Sequence, residues 1–163
     1  MNDSDRYLIF EEAKRHWQSG RALDAGRLLF ESLEPDARSK LAATILILVT
    51  NRTKVRFPAI VSLLGIANDS TKWTEAHRAF SKIREATLEL ERAQIRSRDE
   101  EFLLTQLYLA ENVAKVIYNA TNPLDPFDED SASWVIACLK CVLDLLHDDA
   151  FSSLVLQTLE PAK

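Results

Sequence analysis

The sequence has few of the residues that break helices. Among 163 residues there are three glycines and five prolines, and the prolines stand at the edges of apolar segments. β-Sandwiches and barrels need closely spaced turns rich in glycine and proline between short alternating strands, and the chain has no such pattern. The scarcity of turn residues therefore predicts an all-α fold, and the length is typical of a single helical domain over residues 1–163.

Long uncharged apolar stretches are also missing. The longest apolar run is Leu41–Val49, which is interrupted by Thr44, and it is much shorter than the ~20 residues that cross a bilayer. The first residues, Met1–Asp5, are acidic and lack the basic and apolar regions of a signal peptide. We therefore expect a cytoplasmic protein with no membrane partner.

Basic residues are not in excess. The chain has 20 lysines and arginines against 25 aspartates and glutamates, which gives a formal net charge of −5. Domains that bind nucleic acid usually carry a concentrated basic stripe, so this balance argues against a nucleic-acid partner.

Cysteine and the common catalytic motifs are scarce. Cys138 and Cys141 form the one Cys-x-x-Cys pattern, but the pair lies inside an apolar helical segment and has no second cysteine pair for a zinc site. We interpret both residues as buried, reduced thiols. The sequence contains no glycine-rich phosphate loop and no serine- or zinc-hydrolase motif. No cofactor, metal ligand or catalytic residue is therefore assigned, and the sequence leaves open whether the protein is an enzyme.

What the sequence does contain is helical periodicity along most of its length. Apolar residues recur at spacings of three and four in segments that begin near residues 5, 21, 35, 58, 71, 99, 131 and 149. The run Leu41–Val49 is rich in β-branched residues, but no partner strand is visible and its context favours a buried helix. We predict a compact bundle of seven or eight helices, and in the last of them we expect Phe151, Leu154, Val155 and Leu159 to face inward.

The segment at about residues 100–120 is the most continuously apolar of these. Its apolar residues cover nearly the whole circumference of a helix, and they include Phe102, Leu104, Leu107, Leu109, Val113, Val116, Ile117 and Tyr118. A helix that is apolar all round is buried by several neighbours. We therefore expect the other helices to surround this one.

The second half of the central helix also carries polar residues, and it leads into the acidic, proline-containing segment 122–130. Asn112, Lys115 and Asn119 share one helical face, and Glu111 precedes Lys115 by four positions, the favourable order for an ion pair. Polar groups without partners are costly beside a core, so we expect these groups to line a cleft or to bond the segment 122–130. The predicted binding residues are Asn112, Lys115, Asn119, Asp125, Phe127, Asp128, Glu129 and Trp134.

Two functions of different classes fit this pattern. In the first, the protein is an interaction module in which Phe127 and Trp134 are aromatic anchors and the acidic residues select a basic partner protein. Self-association as a homodimer also fits an amphipathic bundle of this size. In the second, a small-molecule or metal-dependent binding or catalytic site lies at the C-terminal end of the central helix and in the acidic loop 122–130.

The first two segments have the pattern of a tight helical hairpin. Small and apolar residues stand where such a hairpin needs them, at Ala13, Gly20, Ala25, Leu29, Leu33 and Pro35. Over residues 6–35 the hairpin resembles a single unit of the tetratricopeptide family, and no second unit follows at the expected period of about 34 residues. The resemblance implies a peptide-docking groove. We further expect Ala25 and Gly26 to allow the second helix to approach the first, and Leu23 to point inward.

Overall fold

The computed structural model describes residues 1–55, 57–66, 73–94, 96–121 and 131–161. These ranges contain eight α-helices and no strand, which confirms the predicted all-α bundle. None of the helices in the described ranges is both long and apolar enough to span a bilayer. The helices are α1 (Asp3–Gln18), α2 (Ala22–Glu31), α3 (Pro35–Thr53), α4 (Pro58–Ile66), α5 (Trp73–Arg92), α6 (Arg98–Thr121), α7 (Ser131–Leu146) and α8 (Asp149–Leu159).

Local chemistry explains where the first helices begin and end. The Asn2 side chain accepts a hydrogen bond of 2.8 Å from the backbone N–H of Asp5, which caps the start of α1. After α1 the backbone turns at Gly20, whose φ of 77° is in the left-handed region that glycine adopts at little cost. Pro35 occupies the first turn of α3, where its missing N–H costs nothing. The β-branched run Leu41–Val49 lies within α3 and is helical, as predicted.

Helix α6 is the central element, as predicted from its apolar circumference. It packs against α3, α5 and α7. Its buried residues lie on all sides and include Leu104, Leu107, Leu109, Ala110, Val113, Ala114, Val116, Ile117 and Tyr118. These three helices therefore bury α6 instead of leaving one face to solvent.

The closest approach of two helices at a glycine is between α2 and α7. A β-carbon added at Gly26 would lie 2.6 Å from the carbonyl oxygen of Ser133 and 2.8 Å from its Cα atom. The prediction that Gly26 allows α2 to approach α1 is therefore wrong for this residue, because its close neighbour is α7. Successive positions on a helix are rotated by about 100°, so neighbouring residues such as Ala25 and Gly26 point in different directions. Because Gly26 has no side chain, the backbones of α2 and α7 can pack closely at this point.

Helix α8 is attached to α3 through its N-cap. The Asp148 carboxylate accepts a 3.0 Å hydrogen bond from the backbone N–H of Phe151, and it also accepts hydrogen bonds of 2.9 and 2.8 Å from the Arg52 guanidinium. The backbone hydrogen bond and the Arg52 guanidinium hold the pKa of Asp148 below its usual value. The Asp148 cap therefore joins the start of α8 to the end of α3.

One side-chain prediction for α8 is wrong. Leu154 was expected to face inward, but its side chain is 47% exposed, whereas Phe151, Val155 and Leu159 are buried at four-residue spacing. Leu154 lies three positions after Phe151 and one before Val155, so it falls at the edge of the buried stripe and turns to solvent.

We expect Asp148→Ala to loosen α8 selectively, because the substitution removes both the cap and the ion pair. Relative to the wild type, the variant should show faster amide hydrogen exchange in α8 but not in α1. This difference between variant and wild type should become smaller at low pH, because Asp148 of the wild type is then protonated. Arg52→Met removes the ion pair but keeps the cap, so its effect should be smaller. Equal exchange in α8 for the wild type and Asp148→Ala would contradict this role.

Candidate functional site

Two of the polar residues predicted on α6 face different neighbouring helices. The Asn112 side-chain amide donates hydrogen bonds to the Tyr108 carbonyl oxygen at 2.9 Å and to Cys138 Sγ, on α7, at 3.7 Å. The Lys115 ammonium lies 5.6 Å from the ring centroid of Phe80 on α5. Asn119 is half-buried, one turn after Lys115. Asn112 therefore joins α6 to α7, and Lys115 extends over α5.

Glu111 forms a buried ion pair with α5. Its carboxylate lies 3.1 Å from Arg84 Nη1, and the Glu111 side chain is 7% exposed whereas that of Arg84 is 44% exposed. Burial raises the pKa of Glu111, and the attraction to Arg84 and the weaker attraction to Lys115 oppose that rise. The sequence had favoured Lys115 as the partner of Glu111, but the close ion pair is formed with Arg84 from another helix.

A second hydrogen bond continues this polar strip between α5 and α6. The Tyr108 hydroxyl donates to the Glu91 carboxylate, and burial together with this contact raises the pKa of Tyr108 to about 12. Tyr108 is therefore protonated at neutral pH and acts as a donor. Because its groups are already paired with one another, the strip holds two helices together instead of offering an open set of ligands.

The acidic half of the predicted site lies outside the described residues. This applies to Asp125, Phe127, Asp128 and Glu129. In the ranges that are described, no group of three or more histidine, cysteine or acidic side chains is arranged to hold a metal ion. The alternative function at the end of α6 and in the acidic loop therefore stays a prediction.

Trp134 lies on a different surface, in a groove between α2 and α7. Its side chain is 47% exposed, and the groove has a cavity volume of about 520 Å³. We call this cavity the α2–α7 groove; Arg21, Leu23, Arg27, Trp134, Ala137 and Cys141 are among the residues that line it. Leu23 was predicted to point inward, but it is 36% exposed and contributes to the groove. The groove thus combines a large aromatic side chain with aliphatic surface.

The charged residues of the α2–α7 groove are mostly paired along their own helices. Asp24 lies 3.6 Å from Arg27 on α2, and Asp144 lies 3.6 Å from Lys140 on α7. Arg21 has no carboxylate within 4.0 Å in the described part of the chain. Among the described residues the rim is therefore close to neutral, and Arg21, at the end nearest the α1–α2 turn, is its one cation without a carboxylate partner.

The two cysteines have different environments. Cys138 is half-buried beside Asn112, and burial raises the pKa of its thiol to about 12. Cys141 is exposed and lines the α2–α7 groove, so the prediction that both thiols are buried is wrong for this residue. Three helical positions turn the side chain by about 60° from its starting direction, which is enough to move Cys141 from the edge of the core to solvent.

We expect the two thiols to react at very different rates. At pH 8, iodoacetamide should modify Cys141 at least about 100-fold faster than Cys138, because the thiolate is the reactive species and burial disfavours it at Cys138. Peptide mass spectrometry after timed labelling measures both rates in one sample, and labelling in denaturant provides the control. Similar rates in the folded protein would contradict the described environments.

The α2 side of the groove and the α5 partners of the central helix were not identified from the sequence. Leu23 had been predicted to point inward, and no role had been predicted for Arg21, Arg27 or Arg84. Gly26 was a usable signal, since a glycine inside a helix often marks a close backbone approach. Comparisons with known protein families, curated proteins and solved structures find no match for the chain. The assignment of a site therefore depends on the geometry of the chain itself.

Proposed function

We propose that the protein is an interaction module that binds an amphipathic helix of a partner protein in the α2–α7 groove. The observation that carries the proposal is the position of Trp134, which is 47% exposed inside a cavity of about 520 Å³. Tryptophan is enriched among the residues that dominate binding energy at protein interfaces. A partner that covers Trp134 removes a large apolar surface from water.

The shape of the groove supports a helical partner. Its walls are two helices, and the groove between them presents Leu23, Trp134 and Ala137. An amphipathic helix binds such a groove through apolar residues spaced at three and four positions. The walls of the groove, α2 and α7, already pack closely where Gly26 meets the backbone of Ser133. Binding therefore needs little further ordering of these two helices, and a small ordering cost favours affinity.

The charges suggest how the partner helix is oriented. The paired residues of the rim offer no strong repulsion, and the open cation Arg21 fits an acidic residue at one end of the partner. The acidic residues Asp125, Asp128 and Glu129 precede Trp134 in the sequence, and we propose that they select basic residues of the partner. Charge complementarity of this kind governs specificity and association rate more than affinity.

The test compares two exposed apolar residues on different surfaces. Trp134 and Leu154 are both 47% exposed, so either can be replaced by alanine without opening the core. We expect Trp134→Ala to weaken binding of the main partner by roughly 30-fold, an effect typical of an interface hot spot, and Leu154→Ala to leave it unchanged. Affinity capture from the native cells with quantitative mass spectrometry identifies the partner, and titration with the purified partner gives the affinity.

Melting curves of the two variants provide the control for folding. The proposal fails if every captured protein is retained equally by the wild type and Trp134→Ala. It also fails if Leu154→Ala and Trp134→Ala lose the same proteins, because the loss then has no relation to the groove.

A further inference from the structure

A second cavity lies on another surface of the bundle, between α1, α3 and the ends of α2 and α8. Its volume is about 580 Å³, which is in the range of pockets that hold small molecules, about 300–1,000 Å³. We call it the N-terminal cleft. Its apolar lining includes Leu33, which follows α2, and residues from the four helices: Ile9, Phe10, Leu29, Leu41 and Leu159.

Two hydroxyl groups of the N-terminal cleft already have internal acceptors. The Thr44 hydroxyl donates to the carbonyl oxygen of Lys40 at 2.8 Å, and the Ser32 hydroxyl donates to the carbonyl oxygen of Leu29 at 3.2 Å. Their protons are therefore used within α3 and at the C-terminal end of α2. A ligand meets a mainly apolar surface there, without hydroxyl donors that it must satisfy.

Two cations border this apolar surface from different helices. Arg6 on α1 and Lys40 on α3 both line the cleft, and neither has a carboxylate within 4.0 Å in the described part of the chain. Among the described residues of the lining, Asp3 is the one acidic residue, and it lies in the first turn of α1, where the helix dipole favours its charge. The charged groups of the cleft thus have a net charge of +1, from Arg6 and Lys40 against Asp3.

We infer that the N-terminal cleft binds an amphipathic anion, namely an unbranched apolar chain that ends in a carboxylate. The chain covers the apolar lining, and the carboxylate accepts hydrogen bonds from Arg6 and Lys40, whose donors have no other anionic partner. A positively charged amphiphile meets repulsion from both side chains. A neutral alcohol of equal length keeps the apolar contact but leaves both cations without an anion. This site is separate from the α2–α7 groove and does not depend on the proposed function.

Isothermal titration with a series of amphiphiles tests the inference on the full chain. We expect saturable binding of one decanoate per chain below its micelle concentration, and affinity should fall by about fourfold for each methylene removed in octanoate and hexanoate. Decanol and decyltrimethylammonium should bind at least about tenfold more weakly than decanoate. Decanoate that does not saturate, or that binds no better than decyltrimethylammonium or decanol, would overturn the inference.

Variants then locate the binding. Arg6→Gln combined with Lys40→Gln should weaken decanoate binding by roughly tenfold, whereas Lys82→Gln combined with Arg92→Gln removes the same charge from α5 and should have no effect. Ala37→Phe, which fills the cleft, should abolish binding without changing the affinity of a groove partner. Retained binding in both cleft variants would place the ligand elsewhere and overturn the assignment. Concentration-dependent dimerisation that Ala37→Phe abolishes would assign the cleft to a second copy of the chain and would likewise overturn it.

Discussion

Gly26→Ala is expected to lower the free energy of unfolding by about 2 kcal/mol, although alanine is the better helix former. The new methyl group would lie 2.6 Å from the Ser133 carbonyl oxygen and 2.8 Å from its Cα atom. Both are backbone atoms, so they cannot rotate away as a flexible side chain does. Helices α2 and α7 must separate to accept the substitution, and Gly26→Val should be more destabilising still. Urea unfolding followed by circular dichroism measures the change.

Gly65→Ala is the matched control. Gly65 also lies within a helix, α4, but a β-carbon added there has no atom within 4 Å. The substitution should therefore stabilise the protein by up to about 1 kcal/mol, because alanine loses less backbone entropy in a helix. Equal effects of the two substitutions would show that the contact between α2 and α7 does not limit the space at Gly26.

Arg84→Met is expected to destabilise the protein by about 2 kcal/mol at neutral pH. Removing one partner of a fully buried ion pair costs about 3–5 kcal/mol because the other charge is left uncompensated. Glu111 is 7% exposed, but Arg84 is 44% exposed, so water and salt already screen part of the attraction and the expected cost is smaller. The methionine keeps most of the aliphatic contact of the arginine, so the change mainly reports the lost charge.

The effect of Arg84→Met should depend on pH in a defined direction. Burial raises the pKa of Glu111 in the folded state, and the Arg84 guanidinium opposes this rise; without Arg84, the folded-state pKa rises further. Between the unfolded and folded pKa values the native state binds more protons, so stability falls as the pH rises through that window. The destabilisation by Arg84→Met should therefore be larger at pH 7.5 than at pH 5.

Two further variants isolate the charge of Glu111. Adding Glu111→Gln to Arg84→Met should restore part of the stability and remove the added pH dependence, because the buried group is then neutral. Arg15→Met removes an exposed pair, in which Arg15 lies 3.1 Å from Glu12, and should cost less than about 0.5 kcal/mol. If Arg84→Met lowers the free energy of unfolding by the same amount at pH 5 and pH 7.5, Glu111 carries no uncompensated charge in the variant.

The helices could be predicted from the sequence because their signals are local. Apolar spacing, the proline at the start of α3 and the cap at Asp148 each act within a few residues, and the apolar circumference of α6 identified it as the buried centre. Helix partners depend instead on contacts that are distant in the chain. Gly26 meets Ser133, and Glu111 pairs with Arg84, although local spacing had favoured α1 and Lys115.

The wrong side-chain predictions concern the edges of apolar stripes. At the edge of an apolar stripe, a difference of 60–100° around the helix axis separates a buried side chain from an exposed one. Apolar periodicity does not fix side-chain directions to within that angle, and the residues affected are Leu23, Cys141 and Leu154. The predicted site was affected by the same limit. Trp134 lines a groove with α2, whereas Asn112 on α6 contacts Cys138, which does not line that groove.

Photo-crosslinking from Leu23 tests most directly whether the α2–α7 groove is the docking surface. A diazirine analogue of leucine at position 23 places the reactive group in the groove, and the same analogue at position 154 places it on an exposed surface of α8. We expect irradiation in the native cells to give a covalent adduct with one partner polypeptide from position 23, to give none from position 154, and to give a much lower yield of the adduct from position 23 when Trp134 is replaced by alanine. Equal adducts from both positions, or an adduct at position 23 whose yield is unchanged in Trp134→Ala, would contradict the assignment of the groove.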